Sequence, residues 1–286
     1  MTIIESALER AKALKTGRPA MHSPAAPAVA HRPSRRINDG PAPAVLFQPQ
    51  RVTLDARTAR ENRLLLSSSV QEDRPAIAAY GMLRTRLLHR ARAKGWTTIG
   101  ITSPAPQDGK SLTALNLAFS LAREQNSTVA LIDLDMRNPS TCRCLGIEPP
   151  VELRDFFERK GPSPQDLFMS VGIDNLILAG NITATNLASE LLASTRLEEL
   201  LEFVKKSITS PLILVDLPPL LSPDDALVVA PRIDALLLVA SEGVTPISEL
   251  QRAVQLMSEF PIAGLVFNRS SETGAQYAYG YGYGSD

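Results

Sequence analysis

The sequence predicts an α/β fold, a mostly parallel sheet with helices on both faces, and three observations predict it. Short apolar runs alternate with segments of helical periodicity from Thr98 to Phe267, the pattern of buried strands joined by crossover helices. One of those runs, Thr98 to Thr102, leads through Ser103-Pro104-Ala105-Pro106-Gln107-Asp108-Gly109-Lys110-Ser111 into a helical run that begins at Leu112. Two others end in an acid, Asp133 after Thr128 to Ile132 and Asp216 after Leu212 to Val215. Ligands of such sheets bind outside the carboxyl ends of the strands. The loop and both acids therefore belong to one edge.

The bulk properties bound the answer. A chain of 286 residues, 44% hydrophobic, holds one α/β domain of ordinary size plus appendages. With 30 basic and 30 acidic residues the formal net charge is zero, so no nucleic-acid partner is expected. Cys142 and Cys144 are the two cysteines; without a histidine or second pair nearby they read as reduced structural thiols rather than a metal site. No run approaches the roughly 20 apolar residues that cross a bilayer, and a signal-peptide core is missing. Any attachment to a membrane is expected to come through a partner.

Taken in order, residues 1–17 read as an amphipathic helix: Thr2-Ile3-Ile4-Glu5 is a capping-box pattern, and Ile4, Leu8, Ala11 and Leu14 follow at near-helical spacing. Residues 18–70 read as a Pro/Ala-rich, mostly disordered linker with a basic cluster, His31-Arg32-Pro33-Ser34-Arg35-Arg36. The α/β domain is placed at 71–270. It opens with Pro75 in the first turn of a helix bearing Ile77, Tyr80, Leu83 and Leu87 on one side, stopped by Gly95. The helix after the loop carries Leu112, Leu115, Phe119 and Ala122. Buried strands follow at Thr128 to Ile132, Leu176 to Leu178, Leu212 to Val215, Ala235 to Ala240 and Gly264 to Phe267, with helices at Arg196 to Ile208 and Pro246 to Phe260. Residues 271–286 are a flexible Tyr/Gly-rich tail.

The loop carries the first chemistry. Backbone N–H groups of a strand-to-helix turn, aided by the helix dipole, cradle an anion. Gly109 lets the backbone approach, Lys110 reaches the β- and γ-phosphates, and the Ser111 hydroxyl ligates Mg²⁺, as at the end of a Walker A motif. The first glycine of that motif is replaced by Pro104. The carboxylates carry the second. In Asp133-Leu134-Asp135-Met136-Arg137, alternation along an extended backbone puts both acids on one face. Beside a triphosphate they demand a cation, which Mg²⁺ supplies. Asp216, followed by Leu217-Pro218-Pro219, has the Walker B form. An Asp at a strand end is more often a cap or turn residue than a ligand, but three such signals in the right order point to a P-loop NTPase site. Asp224 and Asp225 read as helix caps.

Four of the five tyrosines, Tyr277, Tyr279, Tyr281 and Tyr283, alternate with Ala and Gly at the C-terminus. Such a stretch is hard to bury. Beside an ATP site its phenols read as phosphoryl acceptors rather than as a sticky low-complexity tail.

From about Ile77 to Asp286 the chain resembles the bacterial tyrosine kinases (BY-kinases) of exopolysaccharide and capsule assembly, in their separate cytoplasmic form. The resemblance rests on Thr102-Ser103-Pro104 leading to Gly109-Lys110-Ser111, on Leu131 to Arg137, Asp216 to Pro219, Ser189-Glu190-Leu191-Leu192-Ala193-Ser194, and the tyrosine cluster. Parts of it are shared with deviant-Walker partitioning ATPases, whose signature lysine is replaced here by Ala105. The resemblance implies catalytic roles for Lys110, Asp133, Asp135 and Asp216, with Asp133 assisting deprotonation of the acceptor. It implies nucleotide contacts from Gln107, Asp108, Gly109, Lys110, Ser111, Leu112, Arg137 and Asn268, the last against the purine, and metal contacts from Ser111, Asp135 and Asp216. Gln107-Asp108 replaces the usual Gly-Glu, which puts a side chain where a loop often needs glycine. Of the family's Glu-x-x-Arg-x-x-Arg oligomerisation motif only Arg84 remains, with Ala78 and Gly81 at the other places, which leaves homo-oligomer formation open.

The expected function is an ATP- and Mg²⁺-dependent tyrosine autokinase, cytoplasmic and peripheral at the inner face of the cell membrane. By the resemblance it works with a membrane chain-length-determinant (polysaccharide co-polymerase) protein and is reversed by a cognate tyrosine phosphatase. The alternatives are a slow ATPase acting as a nucleotide-dependent switch or scaffold in the same assembly, and a cargo-positioning deviant-Walker ATPase.

Overall fold

Strands Thr128–Asp133 and Pro211–Asp216 show how the sheet is built. Val129 and Leu131, with Leu212 and Leu214, pack into one apolar cluster, whereas Ala130 and Ile132, with Ile213 and Val215, pack into a second. Successive residues of a strand point to opposite faces, so a near-continuous apolar run is what a sheet covered on both sides requires. The computed structural model describes residues 45–66, 73–124, 127–222 and 225–270. The N-terminal helix expected at 1–17, Asp224 and the tail tyrosines lie outside these residues, as does the linker up to residue 44 and over 67–70.

In chain order the strands are β1 (Gln50–Arg51), β2 (Thr98–Thr102), β3 (Thr128–Asp133), β4 (Met169–Ser170), β5 (Leu176–Ala179), β6 (Pro211–Asp216), β7 (Ala235–Ser241) and β8 (Ile262–Asn268). They form one sheet of order β1-β4-β5-β3-β6-β2-β7-β8. Every pair is parallel except β4 with β5. The helices are α1 (Ala56–Glu61), α2 (Arg74–Lys94), α3 (Lys110–Ala122), α4 (Thr141–Leu145), α5 (Leu153–Phe157), α6 (Ala188–Leu192), α7 (Arg196–Ser207), α8 (Asp225–Val229) and α9 (Ile247–Leu256). The expected long elements are all present, and α2 has Pro75 in its first turn and left-handed Gly95 at its end. Gly100, in β2, is required by packing: a Cβ there would meet the side chains of Ile233 and Leu217 at 2.5 and 2.7 Å.

One stretch read as linker is folded. Within residues 45–66, β1 pairs with β4 at the far edge of the sheet, the ring of Phe47 packs against Phe168 and Phe203 at 5.8 and 5.2 Å, and Leu65 N–H bonds Asn116 of α3 at 2.8 Å. Asp55 caps α1 through Arg57 N–H, and Ala59, Leu64 and Leu65 are buried. The prolines upstream dominate the composition of 18–70, but Val45, Phe47, Val52, Leu54, Leu64 and Leu65 supply enough apolar surface to offset ordering this part. Arg84, the remnant of the oligomerisation motif, is turned inward: it bonds the Ser120 carbonyl at 3.0 Å and pairs with Glu124 at 3.2 Å. Among the described residues no helix is long and apolar enough to cross a membrane.

Candidate nucleotide and phosphoryl-transfer site

Strand register assembles the site. Asp133 and Asp216 are direct neighbours across β3 and β6, and Asp216 also stands opposite Ile101 of β2. Asp216 therefore sits between the other acid and the strand that feeds the phosphate loop. The loop turns at Gln107, φ 67°, and Gly109, φ 90°, both left-handed, and α3 begins at once with Lys110 and Ser111. The N–H groups of Ser111 and half-buried Leu112 belong to that first turn, which has no intrahelical acceptors for them and so suits an anion.

Lys110 and the carboxylates converge. Its ammonium donates to Asp135 Oδ2 at 2.6 Å and to Ser111 Oγ at 3.2 Å, and lies 3.8 Å from Asp216 Oδ1. Burial works against the ammonium, but the charges of Asp216 and Asp135 outweigh it, and Lys110 is held above its ordinary pKa. Asp216 is wholly buried, and among the described residues neither oxygen has a donor in good hydrogen-bond geometry, the Ser111 hydroxyl being the nearest group that favours its charge. Burial pushes its carboxyl up to about 7 even though Lys110 pulls the other way.

Asp133 is in a different condition. Its Oδ2 accepts from Ser140 N–H at 3.1 Å, Thr141 N–H at 3.0 Å and the Thr141 hydroxyl at 2.8 Å, while Oδ1 accepts from Asp135 N–H at 3.1 Å. Burial still raises its pKa, against those bonds and Lys110. Asp135 comes to the same edge by a route other than strand alternation. β3 ends at Asp133, and the Asp133 carboxylate holds Asp135 N–H in a tight turn, the local bonding at which Asp excels.

The remaining candidates are spread around this centre. Asp108 is buried and accepts from Ala105 N–H at 3.0 Å and from the Thr245 hydroxyl at 2.5 Å. Asn268 donates to the Asp108 carbonyl at 3.0 Å, and its amide lies so close to Gly109 that a Cβ there would overlap it. Arg137 forks onto Asp225, with Nε to Oδ2 at 2.5 Å and Nη2 to Oδ1 at 3.1 Å, and also bonds the Asn186 carbonyl and the Ser189 hydroxyl. Asp225, read as a helix cap, is instead the buried partner of Arg137. Sequence reasoning missed Thr141, Thr245, Asp225 and Arg269. The one signal for any of them was Ser189, which bonds Asp225 and lies in the run Ser189 to Ser194 already singled out. Cys142 and Cys144 are free thiols, and burial pushes Cys142 up to about 12, which leaves it unreactive.

The donor set fits Mg²⁺ held beside a phosphate. Asp216 offers two orphaned oxygens, and Ser111 adds a hydroxyl. Among the described residues no group of three or more His, Cys, Asp or Glu makes a ready cage, and Mg²⁺ needs none, since it keeps water and takes phosphate oxygens.

The family model described as ParA: NUBPL iron-transfer P-loop NTPase matches residues 97–278. EpsB of Ralstonia solanacearum is 30% identical over 231 residues, covering 79% of this chain but only 30% of that protein. The tyrosine-protein kinase YwqD of Bacillus subtilis is 28% identical over 208 residues, covering 72% of this chain and 85% of the relative. Among solved structures, the kinase domain of the Escherichia coli tyrosine kinase ETK superposes with a TM-score of 0.61 at 26% identity, over 73% of this chain and 80% of that one.

Proposed function

This chain belongs to the ParA-type P-loop NTPase family and has bacterial tyrosine-protein kinases among its relatives there; from that premise we propose that it is an ATP- and Mg²⁺-dependent tyrosine autokinase. Its acceptors are Tyr277, Tyr279, Tyr281 and Tyr283 of a neighbouring copy. In the wider assembly it regulates exopolysaccharide or capsule polymerisation and export with a membrane chain-length-determinant protein, at the inner face of the membrane, and a cognate phosphatase reverses it. The observation that carries the reading is the convergence of Lys110 with Asp135 and Asp216 at the start of α3.

Phosphoryl transfer is mostly positioning and charge neutralisation. Lys110 exchanges its bond to Asp135 for the β- and γ-phosphates, and the N–H groups of Gly109, Ser111 and Leu112 line the bound anion. Ser111, Asp216 and Asp135 would hold Mg²⁺, which would supply neutralisation of the charge developing on the phosphate oxygens. Asp133 has committed Oδ2 to Ser140 and Thr141, so what it offers an acceptor phenol is the second lone pair of Oδ1. Arg137, engaged with Asp225, supports the Asp133–Asp135 turn rather than a phosphate. Gln107, Asp108 and Asn268 shape the base side of the loop.

The second reading, a slow ATPase that switches or scaffolds the same assembly, draws on Gln107. A non-glycine residue at φ 67° makes the loop costlier to form and the chemistry slower. Peptide mass spectrometry of phosphatase-treated protein after incubation with Mg²⁺ and ATP separates the two. Phosphate on the tail tyrosines of the wild type and none on Lys110→Met is the expected result. An unmodified tail in protein that binds ATP, even with the membrane partner's cytoplasmic segment added, would leave the switch.

A further inference from the structure

The two left-handed, non-glycine residues nearest the site face each other. Gln107 stands at φ 67° in the phosphate loop and Arg269 at φ 57° directly after β8. The turn at Arg269 sends its guanidinium back across the loop, where Nη2 donates to the Gln107 carbonyl at 2.9 Å. Next to it, Asn268 donates to the Asp108 carbonyl at 3.0 Å. The end of β8 thus grips two consecutive carbonyls of the segment whose conformation a side chain resists. A peptide carbonyl drawn outward also turns the following N–H inward, and inward N–H groups are what an anion-binding loop presents.

We propose that Arg269 is a positioning residue of the nucleotide site: by holding the Gln107 carbonyl it imposes on a glutamine the loop conformation that a glycine reaches through its own freedom. The proposal rests on the nucleotide-binding part of the function above and is independent of the acceptor. It explains how this chain keeps a formed phosphate loop with a side chain at position 107. It also assigns a role to a residue that has no signal in the loop motif, since the brace lies 162 positions away in sequence.

The test is a double-mutant cycle read by equilibrium binding of Mg²⁺-ADP and, in ligand-free protein, by amide hydrogen exchange over residues 105–111. Arg269→Ala weakens binding about fivefold to tenfold, the scale of one hydrogen bond, and speeds exchange in the loop. In a Gln107→Gly background the same change costs less than about twofold, because glycine needs no brace. Arg269→Gln, neutral but still a donor, keeps most of the wild-type affinity. Equal losses in both backgrounds would instead make Arg269 a direct nucleotide contact, and Arg269→Gln as weak as Arg269→Ala would make its charge the agent. Either result, or no change in any background, overturns the proposal. If the wild type bound no nucleotide at all the functional reading would fall, and the exchange measurement would still decide the brace.

Discussion

Two buried carboxylates flank the phosphate loop on opposite terms. Asp108, on the side of β7 and β8, accepts from Ala105 N–H and from Thr245, and the loop around it is tied down by Asn268 and Arg269. Asp216, on the side of β3 and β6, has no donor in good hydrogen-bond geometry on either oxygen among the described residues, and a single lysine serves it, Asp133 and Asp135 together. Buried polar groups are normally satisfied, and an orphan marks strain or a missing ligand. The base flank is therefore finished by the protein alone, whereas the acid flank is left to be finished by a cation and phosphate. A buried carboxylate without a hydrogen bond is the cost of a site poised for a cation.

Removing Lys110 breaks the acid flank outright. Lys110→Met is expected to reduce tail phosphorylation at least about 100-fold. It should also destabilise the ligand-free protein by about 3 kcal/mol, because the buried Asp216 loses its one close cation among the described residues. Mass spectrometry and urea unfolding read the two effects; unchanged stability would mean that the carboxylates shed their charge instead.

Asp216→Asn sharpens the contrast by moving stability the other way. The folded-state pKa of Asp216 is raised from 3.8 to about 7, so the ionised form is disfavoured on folding. Stability that the wild type has below about pH 4 is lost as pH rises through 7. The asparagine variant escapes that loss. It should match the wild type near pH 4 and be more stable by about 4 kcal/mol at pH 8, while tail phosphorylation disappears. A constant offset at all pH values would remove the charge from the explanation.

What the sequence reveals follows the same division. The apolar runs and the Gly109-Lys110-Ser111 turn are local, and they predict the sheet, the loop and all three strand-end or near-strand acids. Partners made by topology are not local. Arg137 and Asp225 are 88 positions apart, and nothing within a helical turn of either discloses the pair. Thr245 is 137 positions from Asp108. Likewise β1 and β4, at two residues each, are too short to show a period. Composition misled over 45–66 because an average over 18–70 hides six apolar side chains that pack. The acids were legible as residues, but which of them is satisfied was not, since that depends on donors from Asn138, Ser140 and Thr141.

Arg137→Ala tests whether the acid flank needs support from outside. The guanidinium joins the turn after Asp135 to α8, to the Asn186 carbonyl and to Ser189 at the start of α6. Its loss leaves Asp225 buried with Ser189 as its side-chain partner among the described residues. A fall of about 2 kcal/mol in stability is expected, with phosphorylation reduced about tenfold through misplacement of Asp133 and Asp135 and Mg²⁺-ADP affinity little changed. A loss of nucleotide affinity instead would return Arg137 to the phosphates.

The smallest effect is expected where the base flank is touched most lightly. Thr245 donates its hydroxyl to Asp108 at 2.5 Å and accepts from Ser241 N–H at 2.7 Å, so it bridges the loop after β7 to the phosphate loop. Thr245→Val keeps the shape and removes both bonds. Asp108 retains Ala105 N–H and the loop retains Asn268 and Arg269, so the site should survive, with about 1 kcal/mol lost and Mg²⁺-ADP binding weakened about threefold. Thr245→Ser, which restores the donor, should recover both. The comparison turns on this modest size: a flank completed by several independent bonds gives up one gradually, whereas Asp216, with Lys110 as its one close cation among the described residues, has none in reserve. A Thr245→Val loss as large as that of Lys110→Met would show that Asp108 too depends on a single partner, and the two carboxylates would then be alike.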